Sequence, residues 1–132
     1  MTGDADVVTV LVIHPEDQER KRLALLANRA GYRVRESTRG GELASNLAPG
    51  ECQVLLVNRD LPDISAVGML RRLRERGIGI PMIVLVPTLA IMDAVNAIRA
   101  GAEDVLEYPL SERRFRNSLA SVLRQQAVKA DA

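Results

Sequence analysis

Short, continuous apolar runs alternate along the chain with segments of helical periodicity. The three strongest runs, residues 7–13, 54–57 and 82–86, are rich in β-branched side chains. A short run that is apolar at nearly every position is typical of a strand buried on both faces, as in a parallel sheet. Two weaker runs, residues 32–36 and 103–107, predict further strands. The pattern therefore predicts five strands.

Between these runs, apolar residues recur three and four positions apart, which predicts amphipathic helices. The clearest sets are Leu23, Leu26, Ala27 and Ala30, then Ile91, Ala94, Val95, Ile98 and Ala102, and finally Phe115, Leu119, Val122 and Leu123. Gly31 and Gly101 stand where the first two of these helices should end. Ser111 is the predicted N-cap of the last helix, with Leu110 and Phe115 spaced as a hydrophobic staple. Weaker patterns predict helices over 41–48 and 65–76.

Five strands and five helices in strict alternation predict an α/β fold. Right-handed crossovers turn this order into a doubly wound parallel sheet with helices on both faces. The most economical arrangement is a flavodoxin-like (βα)5 domain with strand order 2-1-3-4-5. We expect a disordered N-terminus over residues 1–6, the folded domain over 7–126 and a flexible C-terminal tail over 127–132.

Composition narrows the possible functions. The 18 Lys and Arg residues nearly balance 17 Asp and Glu, for a net charge of +1. This balance gives no electrostatic basis for direct binding to nucleic acid or to an anionic membrane. The chain has only three aromatic residues, so base-stacking surfaces are not expected either. No signal peptide or membrane-spanning run is present in the sequence, which predicts a cytoplasmic protein.

Metal and thiol chemistry receive little support from the residue types. A single cysteine excludes an internal disulfide, and one cysteine with one histidine disfavours a zinc site of the usual type. Cys52 stands at the beginning of the third strand, where we expect a small buried hydrophobic residue; a reactive thiol is the alternative.

In an open parallel sheet, ligands bind beyond the carboxyl ends of the strands. The segments that follow strands one, three, four and five are His14-Pro15-Glu16-Asp17, Asn58-Arg59-Asp60-Leu61-Pro62-Asp63, Val86-Pro87-Thr88 and Tyr108-Pro109-Leu110. Pro15-Glu16-Asp17 is typical of a helix start, with proline at the first position and acids in the first turn. A rim of His14, Asp17 and Asp60 that binds a metal or small ligand is the alternative. No glycine-rich phosphate loop follows strand one.

The order, lengths and local strings resemble the receiver domain of bacterial two-component response regulators. The resemblance covers residues 7–125. It rests on the joint spacing of four strings: Leu61-Pro62-Asp63, Pro81 before strand four, Ala100-Gly101-Ala102, and Tyr108-Pro109-Leu110.

The resemblance implies a site of five side chains at the carboxyl end of the sheet. In that family two acids after strand one hold Mg²⁺, an aspartate at the end of strand three accepts a phosphoryl group, and a Ser or Thr and a lysine contact it. The matching positions in this chain are His14 and Pro15, Asn58, Val86, and Tyr108. None of these residues supplies the required carboxylate, hydroxyl or ammonium group. We therefore expect a pseudo-receiver that is not an enzyme and has no Mg²⁺ or other cofactor.

The family also implies a partner surface, formed by helix four, strand five and helix five. Leu89, Ile91 and Met92 make the start of helix four apolar. Ile91 belongs to the predicted core stripe with Ala94, Val95 and Ile98. Leu89 and Met92 lie beside it, on a stripe that continues to Asn96 and Arg99. Tyr108 would extend this surface, and Arg113 and Arg116 would give it a polar rim. Contiguous exposed apolar groups mark interfaces, although scattered ones are normal. A docking or homodimer interface and an ordinary solvated surface are the two interpretations.

These observations predict a signalling module that acts through phosphorylation-independent protein–protein interaction in a two-component or phosphorelay pathway. Its partner would be another protein or a second copy of the chain. The alternative function is that of an N-terminal regulatory domain in a longer transcription factor whose DNA-binding domain lies outside this chain.

Overall fold

The computed structural model describes residues 7–131, and it has the predicted alternation of strands and helices. The strands are β1 Thr9–Ile13, β2 Arg33–Ser37, β3 Val54–Asn58, β4 Met82–Val86 and β5 Asp104–Glu107. The helices are α1 Asp17–Arg29, α2 Gly41–Asn46, α3 Ala66–Glu75, α4 Ile91–Ala100 and α5 Glu112–Asp131. All strand pairs are parallel, and the sheet order β2-β1-β3-β4-β5 confirms the predicted topology. The predicted disordered segment, residues 1–6, lies outside the described residues.

The sheet separates two hydrophobic cores. Successive residues of a strand point to opposite faces, so a strand covered on both sides is apolar at every position. Leu11 and Val57 contribute to the core beneath α2, α3 and α4, whereas Val10 and Leu56 contribute to the core beneath α1 and α5. Cys52 is buried in the first core, and burial raises its pKa to about 11, which agrees with the predicted role as a small hydrophobic residue.

The predicted helix ends are present where the sequence marks them. Gly31, which follows the last turn of α1, has a φ of +95°, a conformation that glycine adopts without steric cost. The Ser111 hydroxyl accepts a hydrogen bond from the Arg114 backbone N–H at 3.2 Å, as an N-cap should. Leu110 and Phe115 are both buried against the same core, which confirms the hydrophobic staple.

Two boundaries differ from the prediction. Pro15 lies outside α1 because the N-cap is Glu16 and the first helical residue is Asp17. At the other end, the predicted flexible tail is helical as far as Asp131. The reason is composition, since glutamine, alanine and lysine favour helix and neither glycine nor proline stops α5.

The orientation of α4 is the main correction. The periodicity predicts that Ile91 and Ile98 face the core, yet they are 69% and 50% exposed. Ala97 is the residue of α4 that is fully buried, with Ala100 packed at the edge of the same core. A small side chain of α4 therefore occupies the core, and the larger apolar stripe faces outward.

Candidate functional site

The carboxyl ends of β1, β3 and β5 bring three polar side chains together. His14 follows β1, Asn58 ends β3 and Tyr108 follows β5. The strand register aligns these ends, since Ile13 pairs with Val57 and Val86 with Glu107. Parallel strands with aligned ends place residues that are distant in sequence at one edge of the sheet.

These three side chains form a continuous chain of hydrogen bonds. The Glu16 backbone N–H donates to His14 Nδ1 at 3.1 Å, so the imidazole proton resides on Nε2. His14 Nε2 lies 2.7 Å from the Tyr108 phenol oxygen, which in turn donates to Asn58 Oδ1 at 3.2 Å. Asn58 Nδ2 donates to the Asp60 carbonyl at 2.8 Å. We call this arrangement the His14–Tyr108–Asn58 network.

Burial keeps the imidazole and the phenol neutral. His14 is only 2% exposed, and desolvation lowers its pKa, against a smaller raising effect of the carboxylates of Glu16 and Glu19. Desolvation also raises the pKa of the Tyr108 phenol well above its usual range, and the same two carboxylates add to that shift. The His14 and Tyr108 rings meet edge to face, with their centroids 6.1 Å apart. The network therefore consists of neutral donors and acceptors at neutral pH.

Arg20 was not identified from the sequence pattern, and its side chain holds the backbone at His14. Its side chain is nearly buried and donates to the His14 carbonyl at 3.1 Å, to the Asp17 carboxylate at 2.7 Å and to the Glu36 carboxylate at 3.1 Å. The hydrogen bond from Arg20 lowers the pKa of Asp17. The only signal in the sequence is the three-residue spacing between Asp17 and Arg20 on a helix, which many surface ion pairs share.

The side chains of the predicted ligand-binding rim, His14, Asp17 and Asp60, each have another partner. Asp17 pairs with Arg20, and Asp60 pairs with Arg59 at 2.9 Å. Arg59 also reaches across to Asp93 at the start of α4, at 2.5 Å. Within the part of the chain that the structure describes, no three His, Cys, Asp or Glu side chains are grouped so that they could hold a metal ion.

The loop between β4 and α4 is attached to the end of β5. Val86, at the end of β4, is fully buried and its carbonyl accepts from the Tyr108 backbone N–H at 3.0 Å. The Thr88 hydroxyl donates to the Tyr108 carbonyl, and the Leu89 backbone N–H donates to the Glu107 carboxylate at 3.3 Å. Leu89 has a φ of +68°, and its side chain is 80% exposed.

Four large apolar side chains on α4 or just before it are exposed, and we call this group the α4 patch. Its members are Leu89, Ile91, Met92 and Ile98, each at least half exposed. Leu89 and Met92 were predicted for this surface. Ile91 and Ile98 were missed because their spacing matches that of a core stripe, whereas the residue of α4 that is buried is Ala97.

The other residues predicted for the partner surface lie elsewhere or have other contacts. Asn96 and Arg99 are exposed but line a cleft between α3 and α4. Arg116 donates to the Arg29 carbonyl at 3.0 Å, next to α1. Tyr108 belongs to the network at the sheet edge, and Arg113 is an exposed residue of α5.

Over residues 7–131, no helix is both long and apolar enough to cross a membrane.

Comparisons with known proteins agree on one family. The family model of the response regulator receiver domain matches residues 10–120. The chain is 27% identical over 129 residues to the probable transcriptional regulatory protein TcrX of Mycobacterium tuberculosis, covering 96% of this chain and 54% of that protein. It is 30% identical over 132 residues to the transcriptional regulatory protein KdpE of the same species, covering 93% and 58%. The chain spans about half the length of the curated relatives it matches.

Solved structures give the same result for the fold. The crystal structure of FixJ-N is similar with a TM-score of 0.80 and 26% identity, covering 94% of this chain and 96% of that one. The signal receiver domain of a putative LuxO repressor protein from Vibrio parahaemolyticus has a TM-score of 0.85 and 22% identity, covering 94% and 95%.

Proposed function

The chain belongs to the response regulator receiver domain family, and we propose that it is a member that signals without phosphotransfer. Its function would be to hold one conformation and to present that conformation to a protein partner. The observation that carries this proposal is the His14–Tyr108–Asn58 network, which lies at the positions where the family resemblance implies the phosphorylation site.

The side chains of the network do not suit phosphoryl chemistry. An acyl phosphate forms on a carboxylate, and Asn58 carries an amide whose oxygen already accepts from Tyr108. Val86 has no hydroxyl to hydrogen-bond a phosphoryl oxygen, and it is fully buried. Tyr108 is neutral and cannot balance the charge of a phosphoryl group as an ammonium would.

The same residues do not fit Mg²⁺, so we derive no step through this ion. Magnesium prefers carboxylate oxygens in near-octahedral geometry. After β1 the chain offers an imidazole and a proline, and His14 uses both ring nitrogens in hydrogen bonds. The Asp17 carboxylate is bonded to Arg20, whose positive charge lies against the His14 carbonyl and opposes a cation there.

Without a bound ligand that favours one state, no phosphoryl-driven population shift is available to the domain. The contacts of Thr88 and Leu89 with the end of β5 support a single arrangement of the loop between β4 and α4. The Arg59–Asp93 pair joins the loop after β3 to α4 in the same way. Regulation would then come from the partner or from the amount of protein.

The α4 patch supports a role in protein–protein contact. Leu89, Ile91, Met92 and Ile98 all expose large apolar side chains on α4 or just before it, and grouped exposed apolar residues are typical of interfaces. We propose that this patch, rather than the wider set of residues predicted from the sequence, joins the domain to a protein partner or to a second copy of the chain. Direct contact with nucleic acid or membrane forms no part of this function.

One observation favours a second candidate function. The chain spans about half the length of relatives that are named as transcriptional regulatory proteins. A regulatory domain at the N-terminus of a longer transcription factor would match that proportion. Both candidate functions use the α4 patch as the contact surface. The length of the full gene distinguishes between them.

Exposure of the purified domain to a small phosphoryl donor with Mg²⁺ tests the proposal. We expect the intact mass to stay unchanged, because no carboxylate stands at the position of Asn58. A mass increase of one phosphoryl group that maps to the carboxyl edge of the sheet would overturn it.

A further inference from the structure

A cleft between α3 and α4 is lined by Arg71 and Arg99, which have no part in the proposed function. Its volume is about 870 Å³, which is within the usual range of small-molecule sites. Val67 of α3 and Ala100 of α4, which are both partly exposed, give the cleft an apolar floor.

Charged side chains stand around this floor. Asp60 and Asp93 line the cleft, but both carboxylates are bonded to Arg59, which lines it too. Arg71 of α3 and Arg99 of α4 complete the lining. Neither of these two guanidinium groups has a hydrogen bond or ion pair with any other residue in the described part of the chain.

The unpaired guanidinium groups give the cleft its chemical preference. An arginine binds phosphate through two parallel hydrogen bonds and stacks on the plane of an aromatic ring. The Asn96 amide and the Ser65 hydroxyl add neutral hydrogen-bonding groups to the lining. An apolar floor, neutral polar groups and two free cations together suit a flat ring that carries an anionic group.

We propose that this cleft binds a small organic phosphate of the size of a nucleoside monophosphate. Arg71 and Arg99 would hold the phosphate, and the ring would lie over Val67 and Ala100. The site is distinct from the His14–Tyr108–Asn58 network, and the proposal does not depend on the loss of phosphotransfer.

The test is a titration of the whole domain with adenosine 5′-monophosphate, followed by amide NMR. We expect saturable shifts confined to α3, α4 and the end of β3. Arg71→Gln with Arg99→Gln should weaken binding about tenfold or more, since each arginine supplies charge-assisted hydrogen bonds. Both side chains are exposed, so the variant should keep the spectrum of the folded domain.

Arg72→Gln with Arg124→Gln is the matched control, because both residues are exposed arginines on helices and neither lines the cleft. This variant should bind adenosine monophosphate as the wild type does. No saturable shifts, or an equal loss of affinity in both double variants, would overturn the proposal. Adenosine and inorganic phosphate are titrated as comparison ligands. If inorganic phosphate bound as tightly as adenosine monophosphate, a ligand of nucleotide size would be contradicted.

Discussion

His14 Nε2 lies 2.7 Å from the Tyr108 phenol oxygen, although 94 positions separate the two residues in the sequence. The contact joins the ends of β1 and β5 across the edge of the sheet. The family resemblance implies a charged site at this edge. This chain has a neutral hydrogen-bond network there instead, which also includes Asn58. The stability of this edge should therefore depend on hydrogen bonds between neutral groups.

Removal of one hydroxyl should weaken the whole network. Tyr108→Phe leaves the His14 N–H without its acceptor and Asn58 Oδ1 without its donor in a partly buried site. We expect the free energy of unfolding to fall by about 1–3 kcal/mol, measured by urea denaturation. Tyr32→Phe is the control, since Tyr32 is also partly buried and its hydroxyl has no partner among the described residues. An equal effect of the two substitutions would contradict the assigned role of Tyr108.

The single histidine allows a direct measurement of its titration. Burial lowers the pKa of His14, so the native state releases the proton more readily than the unfolded chain does. The contribution of His14 to stability is present above its ordinary pKa near 6.5 and is lost as the pH falls through its lower native-state pKa. NMR titration of the imidazole should give a midpoint below 6.5, and His14→Gln should reduce the pH dependence of unfolding in that window. A midpoint at or above 6.5 would show that the imidazole is not buried as described.

The fold itself could be predicted from the sequence because the strands are covered on both faces. Apolar runs such as residues 54–57 are too short and too continuous for an amphipathic helix, and strict alternation with helices leaves one economical topology. The orientation of α4 could not be predicted, because periodicity identifies two stripes without indicating which one faces the sheet. Ala97 is buried in the core and Ala100 packs at its edge, whereas Ile91 faces outward against expectation.

The candidate site could be predicted in position but not in structure. The rule for parallel sheets locates His14, Asn58 and Tyr108 at one edge, and the family resemblance indicates which groups they replace. The hydrogen bonds between them depend on the register of strands that are far apart in sequence. Arg20 was missed for the same reason, since its partner Glu36 lies on the neighbouring strand β2.

The close packing of the loop after β2 gives a second stability test. A Cβ atom at Gly40 would lie 2.8 Å from Leu61 Cδ1 and 2.9 Å from Met69 Sδ, closer than normal contact. We expect Gly40→Ala to lower the free energy of unfolding by about 1–3 kcal/mol through overpacking. Gly79→Ala is the control, because a Cβ atom there meets nothing within 4 Å. Equal unfolding midpoints for the two variants would contradict the described packing of Gly40.

The α4 patch should govern self-association or partner binding. Ile91→Glu with Ile98→Glu places two charges on exposed positions, so the stability should change by less than about 0.5 kcal/mol per site. We expect the wild-type domain to gain mass with concentration in sedimentation or to bind its partner, and the double variant to lose that behaviour. Val128→Glu introduces the same charge at an exposed apolar residue of α5 outside the patch and should have no effect. Unchanged sedimentation and unchanged partner binding in the double variant would exclude the α4 patch as an interface.

The most direct test of the central claim is titration of the domain with beryllofluoride and Mg²⁺, a mimic of the phosphoryl group, followed by amide NMR. A restored variant with His14→Asp, Pro15→Asp, Asn58→Asp, Val86→Thr and Tyr108→Lys is measured alongside it. Our account predicts no saturable shifts in the wild-type domain, because its site offers no carboxylate and its polar groups are bonded to one another. Saturable wild-type shifts localised at Asn58, Val86 and Tyr108 would contradict it, whatever the restored variant does.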